Sequence, residues 1–237
     1  MKHFYKAGFV MSMAIICSMA LQAGESGFLP SYEGLQFAPG EYGGKTVLTP
    51  GAAAKRADYT KIMIDQPEIF IAEDSVYKGM KPDDALAIAE TLRKAIADNM
   101  TVLTVVDKPG PDVLYMRLAL SDVHLKKKKR NLLTYTPVGF VAHAAMSAAV
   151  NDAMKKVDLV GVNIEGESLN AETGEYLGSL LIKLAPPEKA TSDQASWENT
   201  LHRFDSMGKQ LDCRFRNKKL PESEKEDCKI LESYRDQ

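Results

Sequence analysis

Val113-Leu-Tyr-Met-Arg-Leu-Ala-Leu-Ser-Asp-Val-His-Leu125 is the stretch that decides how this chain folds. Leu114, Met116, Leu118 and Leu120 alternate with Tyr115, Arg117, Ala119 and Ser121, so the segment reads as a long strand with one face in a core. Upstream, Lys108-Pro109-Gly110-Pro111 is a turn, and Thr101 to Val106 is β-branched and strand-like. Before that lies the clearest helix, Pro82 to Asn99. Pro82 suits the first helical position, and Asp83 and Asp84 sit where the helix dipole favours negative charge. Ala85, Ile88, Ala89, Leu92, Ala95 and Ile96 recur at spacings of three and four. Tyr59 to Ala72 reads as another strand, broken near Pro67, which places it at an edge or a bulge.

Downstream, the cations Lys126, Lys127, Lys128, Lys129 and Arg130 interrupt the pattern, and Thr136-Pro137 leads into a helix from about Val138 to Met154. Its Gly139, Ala142, Ala144, Ala145, Ser147, Ala148 and Ala149 make a smooth surface that another backbone can approach closely. Leu159 to Leu169 and Tyr176 to Leu184 form a hairpin around Asn170-Ala171-Glu172-Thr173-Gly174. Asp193 to Arg214 is a closing helix carrying Trp197, Leu201, Phe204 and Leu211. This order of elements predicts an α+β fold: a single two-layer sandwich of a mixed or antiparallel sheet of about five strands, with two to three packed helices.

At the N-terminus, Lys2 and Lys6 precede an apolar and small run from Ala7 to Leu21, followed by Gln22-Ala23-Gly24-Glu25. That is the layout of a secretory signal cut after Ala23, and the run is short of the roughly 20 residues a spanning helix needs. Export to the periplasm or the envelope surface is expected. Cys17 follows Ile15 and Ile16, not the small residue that lipidation requires, so anchoring is the alternative to soluble export. Residues 24 to 58, punctuated by Pro30, Pro39, Gly40, Gly43, Gly44, Pro50 and Gly51, read as an extended arm. The α+β domain is expected over 59–212, with a charged tail over 213–237.

Cleavage would leave 214 of 237 residues, with 28 basic and 32 acidic side chains and a net charge of about −4. That balance argues against bulk nucleic-acid binding, which shows a clearly basic domain. Cys213 and Cys228 would be the remaining thiols in an oxidising compartment, expected as one disulfide worth about 3 kcal/mol, with unpaired thiols as the alternative. Two cysteines without a nearby histidine pair do not close a zinc shell, so no metal or cofactor is expected.

No Walker loop, dinucleotide glycine fingerprint, zinc-protease helix or Gly-x-Ser-x-Gly elbow occurs. His124, His143 and His202 are widely separated. Glu165 and Glu167 point to one side of their strand, and paired carboxylates can do acid/base work. A solvated outer face opposite Val162, Ile164 and Leu169 is the expectation for them. The cation run from Lys126 to Arg130 is read as a contact patch for an acidic partner or anionic lipid, against a solvated loop as the bland alternative. Gly139, His143 and Ser147 mark the smooth helix as a partner-facing surface, against simple packing on the sheet.

Several segments together resemble a bacterial family catalogued as domain of unknown function 3313 (DUF3313), whose members are mostly small exported lipoproteins. They are Ser26-Gly27-Phe28-Leu29-Pro30-Ser31-Tyr32, Asp58-Tyr59-Thr60-Lys61, Lys108-Pro109-Gly110-Pro111-Asp112-Val113-Leu114, Leu120-Ser121-Asp122-Val123, the turn Asn170 to Glu175, and Trp197 with Phe204. The resemblance implies a compartment and a fold type and no activity. The chain departs from it in lacking a lipidation signal and in its cysteine-bearing tail. The expectation is a non-enzymatic envelope accessory protein binding a protein partner, with a small-molecule or lipid-binding module as the alternative.

Overall fold

The computed structural model describes residues 25–39, 41, 43–127, 156–184 and 193–228. The expected signal segment, Lys128, Lys129, Arg130, the expected helix with Gly139, His143 and Ser147, and the Trp197 side chain lie outside the described residues.

One mixed seven-stranded sheet organises the rest, with order β1-β7-β6-β5-β2-β4 and β3 also paired to β5. The strands are β1 (Gly43–Leu48), β2 (Lys61–Ile64), β3 (Glu68–Ile71), β4 (Thr104–Val105), β5 (Val113–Lys127), β6 (Val157–Asn170) and β7 (Tyr176–Lys183). The helices are the short α1 (Ala52–Lys55), α2 (Pro82–Asn99) and α3 (Asp193–Asn217), followed by a 3₁₀ turn at Glu222–Glu224. The fold is α+β, with more strands than the five expected.

The extra strands have local causes. Pro67 splits the expected Tyr59–Ala72 strand into β2 and β3, which run one after the other, both parallel to β5 along the same edge. A parallel pair needs a long crossover, and α2 supplies it between β3 and β5. β1 arises within the segment expected as an extended arm, and pairs antiparallel with β7 from Gly43↔Lys183 to Leu48↔Gly178.

Periodicity then sets the layers. The register aligns Leu114, Met116, Leu118 and Leu120 with Asn170, Ser168, Gly166 and Ile164 on one face. α2 and α3 cover that face, contributing Ile88, Leu92 and Ile96 from one and Leu201, Phe204, Met207, Leu211 and Phe215 from the other. The opposite face carries Arg117, Ala119, Glu165 and Glu167, and the N-terminal arm lies over it through Leu29 and Leu35, which pack on Leu181. The hairpin turn is as expected: Asn170 Oδ1 accepts from the Glu172 and Thr173 N–H groups at 2.9 Å each, and Gly174 supplies the positive φ of 72°.

Beyond α3 the tail turns back and is held by the Cys213–Cys228 disulfide, with a Cα–Cα distance of 5.7 Å. Gln210 Nε2 donates to the Cys228 carbonyl at 2.8 Å, and Arg216 pairs with Glu226 at 3.0 Å.

Candidate functional site

The carboxylates that invited a catalytic reading are not on a solvated face. Glu165 is fully buried and Glu167 is 7 % exposed, because the arm covers them. Ser26 Oγ and the Tyr32 hydroxyl donate to Glu165 Oε2 at 2.9 and 2.7 Å, and the Gly27 N–H donates to the Tyr32 oxygen at 3.0 Å. Arg117 donates to Glu167, pairs with Glu68 at 3.1 Å, and sits 5.1 Å from the Phe28 ring centre. Leu169 shares their face and does not oppose them, since it pairs with Tyr115 as Glu167 pairs with Arg117. Tyr115 is pushed up to about 12 by burial first and by the neighbouring Asp65 carboxylate second. Glu167 is paired with Arg117 and Glu165 Oε2 has two donors, while the buried Glu165 Oε1 has no hydrogen-bond partner among the described residues.

The helix-covered face holds a different arrangement. Between the last turns of α3 and strands β5, β6 and β7 lies a half-open cavity of about 70 Å³. Gly166 and Gly178 line its floor, and Gly178 also lets β1 approach β7 closely. A Cβ at Gly178 would stand 2.3 Å from the Val47 carbonyl oxygen, and one at Gly166 would stand 3.2 Å from Leu118 Cδ2. Met116, Leu118, Leu180, Leu211 and Phe215 make apolar walls.

Three cations line this cleft, Arg56 just after α1, Arg214 on α3 and Lys218 just after it; Glu167 also lines it, but its carboxylate is paired with Arg117 on the other face of the sheet. Arg56 reaches the sheet and donates through Nη2 to Ser168 Oγ, which in turn donates to the Gly178 carbonyl at 3.2 Å. Its Nε is buried and has no hydrogen-bond partner among the described residues. Burial holds the Arg56 guanidinium below its ordinary value, with Tyr176 and Tyr59 opposing and Arg214 adding to the shift. Arg214 is likewise lowered by burial. Among the described residues neither arginine pairs with a carboxylate. Half-buried guanidinium groups without a counter-charge favour an anion.

The sequence did not single out these residues, although one signal was available. Arg214 follows Leu211 by three and Met207 by seven, so a cation sits on the buried stripe of α3. Of the basic run, Lys126 and Lys127 end β5 and are exposed. His124 sits between Asp122 at 3.0 Å and Asp74 at 3.6 Å. Among the described residues no group of three or more His, Cys, Asp or Glu side chains is placed to hold a metal ion, and no helix is long and apolar enough to cross a membrane.

No curated protein matches the chain. Among solved structures, it is similar to the PelC L103M dodecamer from Paraburkholderia phytofirmans, with a TM-score of 0.36 and 10 % identity over 71 % of this chain and 97 % of that one. A family model matches residues 24–211, which takes in the arm, the whole sheet and most of α3, and the chain therefore belongs to the family described as protein of unknown function DUF3313.

Proposed function

We propose that this chain is a non-enzymatic, exported protein of the cell envelope that acts by binding, its ligand held in the cleft between α3 and the sheet. The ligand-binding alternative thus takes precedence over the partner-binding reading of the sequence. One observation carries it: Arg56 and Arg214 stand half-buried at an apolar cleft with no carboxylate partner among the described residues. A non-enzymatic role is supported by the carboxylate pair, since Ser26, Tyr32 and Arg117 engage Glu165 and Glu167 beneath the arm. Export rests on Lys2, Lys6 and the run Ala7 to Leu21.

Native mass spectrometry of the protein purified from its own host tests the reading. A small-molecule adduct that disappears in Gly166→Leu, with circular dichroism and the urea midpoint showing that the variant is folded, is the expected result. Consistently empty protein overturns it.

A protein partner or anionic membrane docked on the basic end of β5 is the second reading, favoured by the exposure of Lys126 and Lys127. Unchanged in-cell cross-links and membrane association on reversing the charges of residues 126–129 discard it.

A further inference from the structure

We infer that the cleft recognises a phosphate or carboxylate group seated between Arg56 and Arg214, with an apolar substituent lying along Met116, Leu118 and Leu180; this inference rests on the cleft being the binding site. Size sets the first limit. The cavity of about 70 Å³ is roughly half the size of a ~150 Å³ cavity that holds benzene, which suits one compact oxyanion and the first carbons attached to it. The remainder of a larger ligand lies toward the open side.

Charge sets the second. Arg56 and Arg214 come from separate parts of the chain, one beside α1 and one on α3, and Lys218 adds a third cation at the same cleft. Like charges brought together in a partly desolvated site repel, and an oxyanion accepting from two guanidinium groups reverses the sign of that interaction. Donor geometry sets the third. The bond from Arg56 Nη2 to Ser168 Oγ fixes the guanidinium plane at the wall of the cleft. Carboxylate and phosphate are the groups that match a guanidinium edge with two acceptor oxygens. The apolar walls separate this site from one built for a free, fully hydrated ion.

Calorimetric titration of the purified full-length protein with hexyl phosphate, inorganic phosphate and hexanol, with melting temperatures in parallel, tests the inference. Hexyl phosphate is expected to bind and raise the melting temperature, and Arg56→Gln and Arg214→Gln are each expected to weaken it by about tenfold or more. Arg56→Lys keeps the charge but not the fork, so it should fold as wild type and bind at an intermediate level. Tighter binding of hexyl phosphate than of inorganic phosphate supports an anionic head bearing an alkyl chain; equal binding overturns the apolar substituent. Equal binding of hexanol, or undiminished hexyl phosphate binding by folded Arg56→Gln/Arg214→Gln, overturns the anion inference and leaves the cleft reading standing. No binding of any probe, with empty native mass spectra, overturns both.

Discussion

Gly208 of α3 rests directly on Ala95 of α2: a Cβ at Gly208 would stand 2.5 Å from the Ala95 carbonyl oxygen and 3.0 Å from Asn99 Cβ. The Asn99 side chain bridges the same crossing, donating to the Ala95 carbonyl and to Asp205 Oδ1 at 2.8 Å each. Backbone cannot yield as a side-chain tip can, so Gly208→Ala forces the helices apart. The substitution gains about 1 kcal/mol of helix propensity and loses roughly 1–3 kcal/mol or more to overpacking. A net destabilisation of about 1 kcal/mol or more is expected, read as a lower urea midpoint at unchanged slope. An unchanged midpoint would show that the crossing has slack.

Tyr32 is the clasp of the arm. Its hydroxyl donates to a fully buried carboxylate and accepts from the Gly27 N–H, so Tyr32→Phe removes one of the two donors to Glu165 Oε2. A loss of about 2 kcal/mol is expected, since leaving a buried charged acceptor short of a partner costs more than the bond itself contributes. Hydrogen exchange at residues 25–37 should accelerate well before exchange in β5. Uniform acceleration throughout the sheet would mean that the arm and the sheet open as one unit.

The disulfide is expected to act on the tail more than on the core. Cys213 and Cys228 are separated by 15 positions, and closing such a loop stabilises by about 3 kcal/mol in the chain-entropy model. Asn217 and Arg216 also hold the tail, through Glu226, so reduction should loosen residues 218–228 without melting α3. Helical circular dichroism at low denaturant should therefore survive a reductant while the thermal midpoint falls. Loss of helix on reduction alone would show that the disulfide supports α3 itself.

Local patterns were legible and distant ones were not. The alternation of Leu114, Met116, Leu118 and Leu120, and the three-four spacing of Ile88, Leu92 and Ile96, are properties of a few neighbouring residues, and both elements form where the spacing places them. β1 went unseen because Gly43 and Gly44 begin it, between Pro39 and Pro50, and only pairing with β7 makes it a strand. Glu165 looked solvated because its partners Ser26 and Tyr32 lie 139 and 133 positions away. The cleft has the same character. Arg56 and Arg214 share it only after α3 has folded back over the sheet.

Asp212 ties the end of α3 to the loop after α2, and its charge makes that joint sensitive to acid. The residue is buried; Oδ1 accepts from the Thr101 and Val102 N–H groups at 2.6 and 3.0 Å. Oδ2 accepts from Thr101 Oγ1 at 2.8 Å and from Arg216 at 3.1 Å. Burial pushes the group up, but the Thr101 and Val102 hydrogen bonds and the Arg216 charge outweigh it, so it is held below the usual carboxylate value. A carboxylate depressed in the folded state contributes stability that is fully present above the unfolded value near 3.9 and is lost as pH falls through the folded one. Asp212→Asn keeps the shape but removes the charge and sets an Nδ2 donor where an oxygen accepted from Arg216, so it should cost about 2–3 kcal/mol at pH 7. That cost should shrink as pH drops below about 4, where the wild type begins to lose its own advantage. Urea unfolding of both proteins from pH 7 to pH 2 would resolve this, and two parallel stability curves would exclude Asp212 as a source of acid sensitivity.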